Sequence, residues 1–324
     1  ALRAAEEKRF FHWELEFPEV FFAPSKPGGQ DVQLRKDGGF DAVVGNPPYG
    51  RYGLMTDEDK DFIRDRGLAF GSADIAEAFM SAIPEIVRSN RVGMIVPKVF
   101  TYVVNWSEIR SQLIQSGLSF VADVSQAFPD VLYEQVIFVG GASESIKIGA
   151  ATEESIVELH DAAIKHFTSD LFPIYLDQDN ALVLERVRNN SILLGNVYDY
   201  WYGKGGAVPK LTDTPSDFEI VQGRDIARYT ENDGDTVYID RKHLSQTEIE
   251  TSQRRKIILQ DIVAHVTKPL PRIILMGTID DQNRLPLNTV TCVSEKNGSL
   301  YSLEYCLSIL NSNFCSWYVY RFMY

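Results

Sequence analysis

The feature that most constrains this chain is one run, Phe40-Asp41-Ala42-Val43-Val44-Gly45-Asn46-Pro47-Pro48-Tyr49. An apolar, strand-like segment leads into a glycine, and two prolines follow almost at once. Proline has a fixed φ and no N–H, and it pushes the residue before it out of the helical region. The chain cannot continue there as an interior strand or a helix, so it leaves a sheet through a stiff turn. That turn carries two acceptors, the Asn46 side-chain oxygen and the Pro47 carbonyl, with the flat ring of Tyr49 beside them. Two acceptors and a stacking face are what an exocyclic –NH2 group needs, because both N–H bonds are then engaged and its ring is held. The plain alternative is a β-turn, since Asn and Pro both favour turns.

The flanking pattern is that of an α/β layer. Residues 57–66 are charged and helical in character. Residues 73–88 place Ile75, Ala78, Phe79, Ala82, Ile83 and Ile86 at helical spacing. Residues 92–96 read as a strand stopped by Pro97, and residues 107–115 as a helix with a Ser cap and Gly117 as its stop. Residues 120–124 and 135–139 read as two more strands. Strands alternating with helices predict a mostly parallel sheet. Residues 151–178 read as a mixed bridging segment, and 179–189 as a short helix. Beyond them the chain is broken by turn formers at 203–206, 212–216, 232–234, 269–271 and 280–283. Strands at 237–239, 272–276 and 289–293 lie between, and 303–322 returns to a helical pattern.

Length and composition fit this division. With 324 residues, 44% hydrophobic and 24% charged, the chain suits a soluble protein of two domains. No stretch approaches the ~18 apolar residues of a membrane span. The opening segment 1–9 is charged and lacks a signal-peptide apolar core. Cys292, Cys306 and Cys315 lie far apart in apolar settings and read as buried free thiols, so a cytoplasmic location is expected. His12 reads as structural, and no metal is expected. The net charge of −13 argues at first sight against nucleic acid. All of that excess lies in residues 1–185, with 16 Lys and Arg against 29 Asp and Glu, while residues 186–324 balance at 16 of each. If DNA binds, the second half is the expected source of phosphate contacts, with Lys204, Lys210, Arg224, Arg228 and the cluster Arg254-Arg255-Lys256 as candidates. A solvated basic face is the bland alternative for each.

Several segments, in order along the chain, resemble one family. Asn46–Tyr49 resembles the catalytic motif of S-adenosylmethionine-dependent amino methyltransferases, above all those acting on N6 of adenine in DNA. Residues 11–21, Phe-His-Trp-Glu-Leu-Glu-Phe-Pro-Glu-Val-Phe, resemble a signature that the type IIG restriction-modification members carry shortly before it. Asp74-Ile-Ala-Glu-Ala-Phe79 resembles the helix whose Phe contacts the cofactor's adenine. Residues 92–97 match the strand that follows, and 128–138 the segment whose aromatic, here Phe128, stacks on the flipped base. Residues 220–229, 285–291 and 307–312 resemble parts of a TaqI-type target-recognition domain.

The resemblance implies an α/β protein: a partial Rossmann-like methyltransferase sheet over residues 1–165, a linker at 166–185, and an α+β target-recognition domain at 186–324. It implies Asn46, Pro47, Pro48, Tyr49 and Phe128 at the catalytic site and Phe79 with Asp74 at the cofactor. It implies S-adenosylmethionine as cofactor and double-stranded DNA as partner. The family's glycine-containing cofactor turn has no counterpart before Asn46, so a longer polypeptide is expected to supply it, and a nuclease domain with it. Three other readings stay open at this stage. The chain acts on protein glutamine or RNA, it is a recognition module inactive alone, or it is a phage-defence methyltransferase without a nuclease.

Overall fold

A computed structural model describes residues 11–50, 55–68, 71–128, 131, 133–152, 155–206, 210–261, 264–266 and 272–323. The charged opening segment 1–9 and the turn at 269–271 lie outside the described residues. The chain divides into two compact units, Ala1–Glu185 and Arg186–Phe322.

The first unit opens with α1 (Trp13–Glu16) and α2 (Pro18–Phe21), then a two-stranded hairpin, β1 (Phe22–Pro24) and β2 (Val32–Leu34). Next come β3 (Val43–Gly45), α3 (Asp57–Asp65), α4 (Ile75–Ala82), β4 (Val92–Pro97), α5 (Ser107–Ser116) and β5 (Leu118–Ser125). β6 (Gln135–Gly140), β7 (Ser145–Ala151) and β8 (Ile156–Ala163) complete it. Helix α3 starts in a capping box, in which the Thr56 hydroxyl accepts from the Asp59 amide at 3.2 Å and the Asp59 carboxylate accepts from the Thr56 amide at 3.1 Å. The expected Ser cap of α5 is not made. Trp106 is the cap position, with no side-chain cap bond, and Ser107 is already helical. Gly117 does end that helix, at φ +101°, where a Cβ would stand 2.8 Å from the Gly141 carbonyl oxygen.

Among the described residues, six strands form one sheet in the order β3-β4-β6-β5-β7-β8. The pairs β3/β4 and β5/β7 are parallel, whereas β4/β6, β6/β5 and β7/β8 are antiparallel. The sheet is therefore mixed, not mostly parallel. The connection from β5 to β6 is too short for a crossover helix, so β6 has to return antiparallel. The same holds for β7 to β8, where the sequence pattern had read as a bridge. β3 is an edge strand, and its Val44 is 87% exposed.

The core beside this sheet is aromatic. Phe100, which is fully buried, meets Trp106, Phe138 and Phe172 at ring-centroid distances of 6.1, 5.9 and 5.4 Å. The expected linker is in part core. Phe167, Leu171, Phe172, Ile174 and Leu176 are buried, and the Phe172 amide donates to the Thr101 carbonyl at 2.8 Å. The 185/186 boundary falls within α6 (Gln178–Asn190).

The second unit contains α7 (Leu194–Val197), β9 (Tyr198–Tyr202), β10 (Phe218–Val221), β11 (Tyr238–Ile239), α8 (Gln246–Ser252) and β12 (Lys256–Gln260). It continues with β13 (Ala264–Val266), β14 (Arg272–Ile274), β15 (Gly277–Asp280), β16 (Leu285–Pro286), β17 (Val290–Glu295), α9 (Leu303–Leu310) and α10 (Asn313–Phe322). An antiparallel sheet runs β15-β12-β17-β9, and a smaller one runs β11-β10-β16. Leu303, Cys306 and Leu307 of α9 pack on Tyr198, Ile257 and Val293. The helical pattern at 303–322 is two helices because Asn311 is spent on the sheet. Its buried amide accepts from the Gly277 N–H at 3.0 Å and donates to the Gly277 carbonyl at 2.9 Å. Gly203 follows β9 where the backbone meets Leu287 so closely that a Cβ would lie 1.9 Å from its carbonyl oxygen. No helix among the described residues is long and apolar enough to cross a membrane.

Replacing Phe100 by Ala should destabilise the first unit by about 3–5 kcal/mol, because three aromatic neighbours close around it and cannot collapse together. Chemical denaturation followed by the fluorescence of the buried Trp106 checks this.

Candidate functional site

Strands β3, β4 and β5 run in one direction, so their carboxyl ends share one end of the sheet, and β6 begins there. The register places Gly45 level with Met94, Pro97 level with Gln135, and Gln135 level with Ser125. Asn46–Tyr49 and the loop after β5, which carries Phe128, therefore leave from the same end. In open α/β sheets this is where ligands bind.

The turn itself is pinned at two points. The Tyr49 hydroxyl donates to the Ile95 carbonyl on β4 at 3.0 Å, which fixes where the ring stands. Burial, with Asp74 nearby, pushes its pKa up to about 12, so it stays a neutral donor. The second anchor is Asp74, the N-cap of α4. Its Oδ1 accepts from the Ala76 amide at 2.9 Å and from the Gly50 amide at 3.4 Å, while the Gly50 carbonyl accepts from the Ile75 amide at 3.0 Å. Ala73 before it holds a positive φ of 56°. Behind Asp74 stands Glu77, fully buried, whose Oε2 accepts from both the amide and the hydroxyl of Ser72 at 2.7 Å. The Ser72 hydroxyl in turn accepts from the Asp74 amide at 3.1 Å. Burial raises the pKa values of Asp74 and Glu77. Within this frame Pro47 is buried, Asn46 and Pro48 are exposed, and Phe128 is half-buried. Phe79 is 51% exposed on α4, so it is not a core residue.

A second cluster lies at the same end of the sheet, and sequence reasoning passed over it. Lys98, just after β4, donates to Asp123 Oδ2 at 3.1 Å, Glu134 Oε2 at 2.8 Å and the Tyr175 hydroxyl at 2.8 Å. The available signal was Asp123, an acid within the apolar strand Phe120-Val-Ala-Asp-Val124.

The basic candidates of the second unit differ among themselves. Lys256 is fully buried, pairs with Asp280 at 2.6 Å and donates to the Ser252 carbonyl at 2.8 Å. It cannot reach a phosphate, which corrects the reading of 254–256 as one basic surface cluster. The reason is the strand: Lys256 opens β12, and its side chain enters the core where Arg284 also binds Asp280, at 2.8 Å. Arg254 and Arg255 are exposed and ion-paired, with Asp199 at 3.1 Å and with Asp281 and Glu304 at 2.6 Å each. Lys204 pairs with Glu248 at 2.6 Å. Arg228 donates to the Asn311 carbonyl and lies 5.9 Å from the Tyr229 ring centroid. Lys210 and Arg224 are exposed, and Arg224 lies 3.7 Å from Asp225.

The chain matches the Eco57I restriction-modification methylase family over residues 2–128 and the TaqI-like C-terminal specificity domain over residues 218–324. One relative is RM.MjaORFECS2P of Methanocaldococcus jannaschii, whose name places it among type II restriction enzymes and methyltransferases. It is 27% identical over 109 residues, which cover 33% of this chain and 8% of that protein. The type IIL restriction-modification enzyme MmeI, solved in complex with DNA, shares the fold at a TM-score of 0.50 and 13% identity. That alignment covers 79% of this chain and 41% of MmeI. The chain thus spans less than half the length of each.

Lys256→Met should cost the second unit about 3 kcal/mol, since it leaves the buried Asp280 charge with one partner fewer. Lys210→Ala, at an exposed position, should stay within about 0.5 kcal/mol of the parent. Urea titrations of the two variants compare them.

Proposed function

We propose that this chain is the base-modifying and sequence-reading part of a DNA methyltransferase that acts on N6 of adenine, with S-adenosylmethionine as methyl donor. The observation that carries the reading is the Asn46–Tyr49 turn. It is fixed through Tyr49 and Asp74 to the sheet and α4 at the carboxyl end of parallel strands, and it leaves the Asn46 amide exposed. The TaqI-like specificity domain favours DNA over a protein glutamine or an RNA as substrate. Free thiols at Cys292, Cys306 and Cys315 favour a reducing compartment such as the cytoplasm. The relative named above joins restriction to methylation, and we carry that pairing over to the proposal.

The target adenine leaves the helical stack, at a cost of a few kcal/mol. Asn46 Oδ1 and the Pro47 carbonyl accept its two amino hydrogens. This turns the nitrogen lone pair out of conjugation and gives it a fixed direction. Tyr49 and Phe128 offer faces on which the base stacks. An aromatic amine is a poor nucleophile, so orientation and local electrostatics carry most of the rate. The half-exposed ring of Phe79 is open to the cofactor's adenine, and Asp74 keeps α4 and the turn in register beside it. When bound, S-adenosylmethionine would supply the electrophilic methyl group, its S–C bond breaking as the N6–C bond forms, with the neutral thioether as leaving group and the surplus N6 proton passing to solvent.

Asn46→Ala in the full-length enzyme should abolish methylation of adenine and leave DNA affinity nearly intact, since Asn46 acts on a single amino group of the extruded base. Tritium transfer to DNA, run beside a binding titration, tests this, and wild-type-like turnover would sink the assignment. Exchanging residues 186–324 for the same unit of a relative should move the methylated sequence to that relative's site. A folded chimera that still marks the original sequence would remove the recognition role from this unit.

A further inference from the structure

We propose that Lys98 and Tyr175 are positioning residues that set the stacking loop carrying Phe128 at its working height over the flipped base. The inference rests on the adenine-methylation reading above. Neither residue belongs to the Asn-Pro-Pro-Tyr turn, and Tyr175 comes from the stretch that the sequence pattern reads as a linker.

The loop leaves the sheet after β5 and returns into β6. Asp123 stands at its departing stem and Glu134 at its returning stem. Lys98, 6% exposed, donates to both carboxylates and to Tyr175, which uses the three donors of an ammonium group. Its backbone amide also donates to the Glu134 carbonyl at 2.8 Å. The Tyr175 hydroxyl donates to the same Asp123 oxygen that Lys98 engages. Burial alone would lower the Lys98 pKa, but Tyr175, Asp123 and Glu134 outweigh it and raise it, so the charge is kept.

The stems also hold the described residues that lead up to Phe128. Asp123 Oδ1 accepts from the Ser125 amide at 2.7 Å, where Ser125 holds a positive φ of 49°. Gln135, fully buried at the start of β6, accepts from the Ala127 amide at 2.8 Å, one residue before Phe128. Gln126 donates to the Val131 carbonyl at 2.7 Å. A non-glycine residue in the left-handed region persists only where its surroundings over-determine it. Here Asp123 supplies that constraint, and Lys98 and Tyr175 fix Asp123. Tyr175 is backed by the core, since nearby Phe172 packs on Phe100 and bonds to Thr101.

Stability alone is a poor account of this arrangement. A buried ion cluster is often no better for stability than well-packed apolar side chains. What it does supply is a fixed distance between three segments, β4, β5 and β6, around one loop. Lys98 has no donor left for a substrate, so its effect on the reaction has to pass through that loop.

The test uses the full-length enzyme as wild type, Lys98→Met and Tyr175→Phe. DNA carrying the methylated site mapped by sequencing is the substrate, and a matching duplex with 2-aminopurine at the target adenine reports base extrusion. Both variants should lower kcat, with KM for DNA within about twofold, and should lose 2-aminopurine fluorescence. Lys98→Met should lose roughly 10–100-fold, the scale of a small misplacement at a reacting centre. Tyr175→Phe removes one hydroxyl and should keep the fold, so it decides the matter where Lys98→Met does not fold. A folded Tyr175→Phe enzyme with wild-type kcat and wild-type fluorescence overturns the proposal. Wild-type enzyme that does not methylate adenine overturns the functional reading itself, and this shows before any variant is assayed.

Discussion

Strands β4 and β5 run in the same direction but are not neighbours, because β6 enters between them antiparallel to both. Its ladder with each sets their levels, so the end of β4, the end of β5 and the start of β6 lie in one row at Pro97, Ser125 and Gln135. Everything at the candidate site hangs from that row or from β3 beside it. Tyr49 reaches one residue up β4 to Ile95, Lys98 follows the row directly, and the loop with Phe128 is the short return that makes β6 antiparallel. A crossover helix in place of that loop would have made β6 parallel to its neighbours and removed Phe128 from this end.

Buried ions recur as the means of holding loops in both units. In the first, Lys98 joins two stems of one loop, and Arg110, fully buried, donates to the carbonyls of Phe100, Val103 and Ser169. In the second, Asp280 binds Lys256 and Arg284, and Arg284 reaches on to Glu231 at 2.7 and 2.5 Å. Each such group forfeits hydration, so it is stable only while all partners stay in place. The result is segments without regular secondary structure whose position is nonetheless narrowly set.

The sequence pattern carried the parts of the fold that depend on local physics. The apolar run before Asn46, the helical spacing from Ile75 and the glycine stop at Gly117 each stand where local periodicity and φ preference put them. What it missed depends on partners distant in the chain. Antiparallel insertion of β6 is decided by loop length and by which edges are free. The packing of Phe172 on Phe100 needs contacts across some seventy residues. A lysine reads as surface by type, so by sequence Lys256 belongs to a basic face, and only the fold shows its partner Asp280 inside. The turn at Asn46–Tyr49 was legible because proline chemistry is local. Its anchoring by Asp74 was not, because an N-cap that also holds a distant amide looks in sequence like any other N-cap.

These placements change what the charge split means for DNA. The neutral balance of the second unit counts Lys256 and Arg284 as if they were at the surface, yet both are buried, with side-chain exposures of 0% and 6%. Arg254, Arg255 and Lys204 are held by carboxylates that a phosphate would have to displace. A protein that binds DNA mainly through counterion release needs many unengaged cations, and this unit offers few among its described residues. Exchange of a carboxylate for a phosphate at Arg254 or Arg255 costs one ion pair for each one formed, so it contributes little net affinity. Such exchange instead favours binding only where the groove geometry places a phosphate at the right point. Under the proposed function, sequence reading by this unit would rest on shape and on base-edge contacts, with exposed side chains such as Tyr200, Tyr202 and Tyr229 as the groups available to make them.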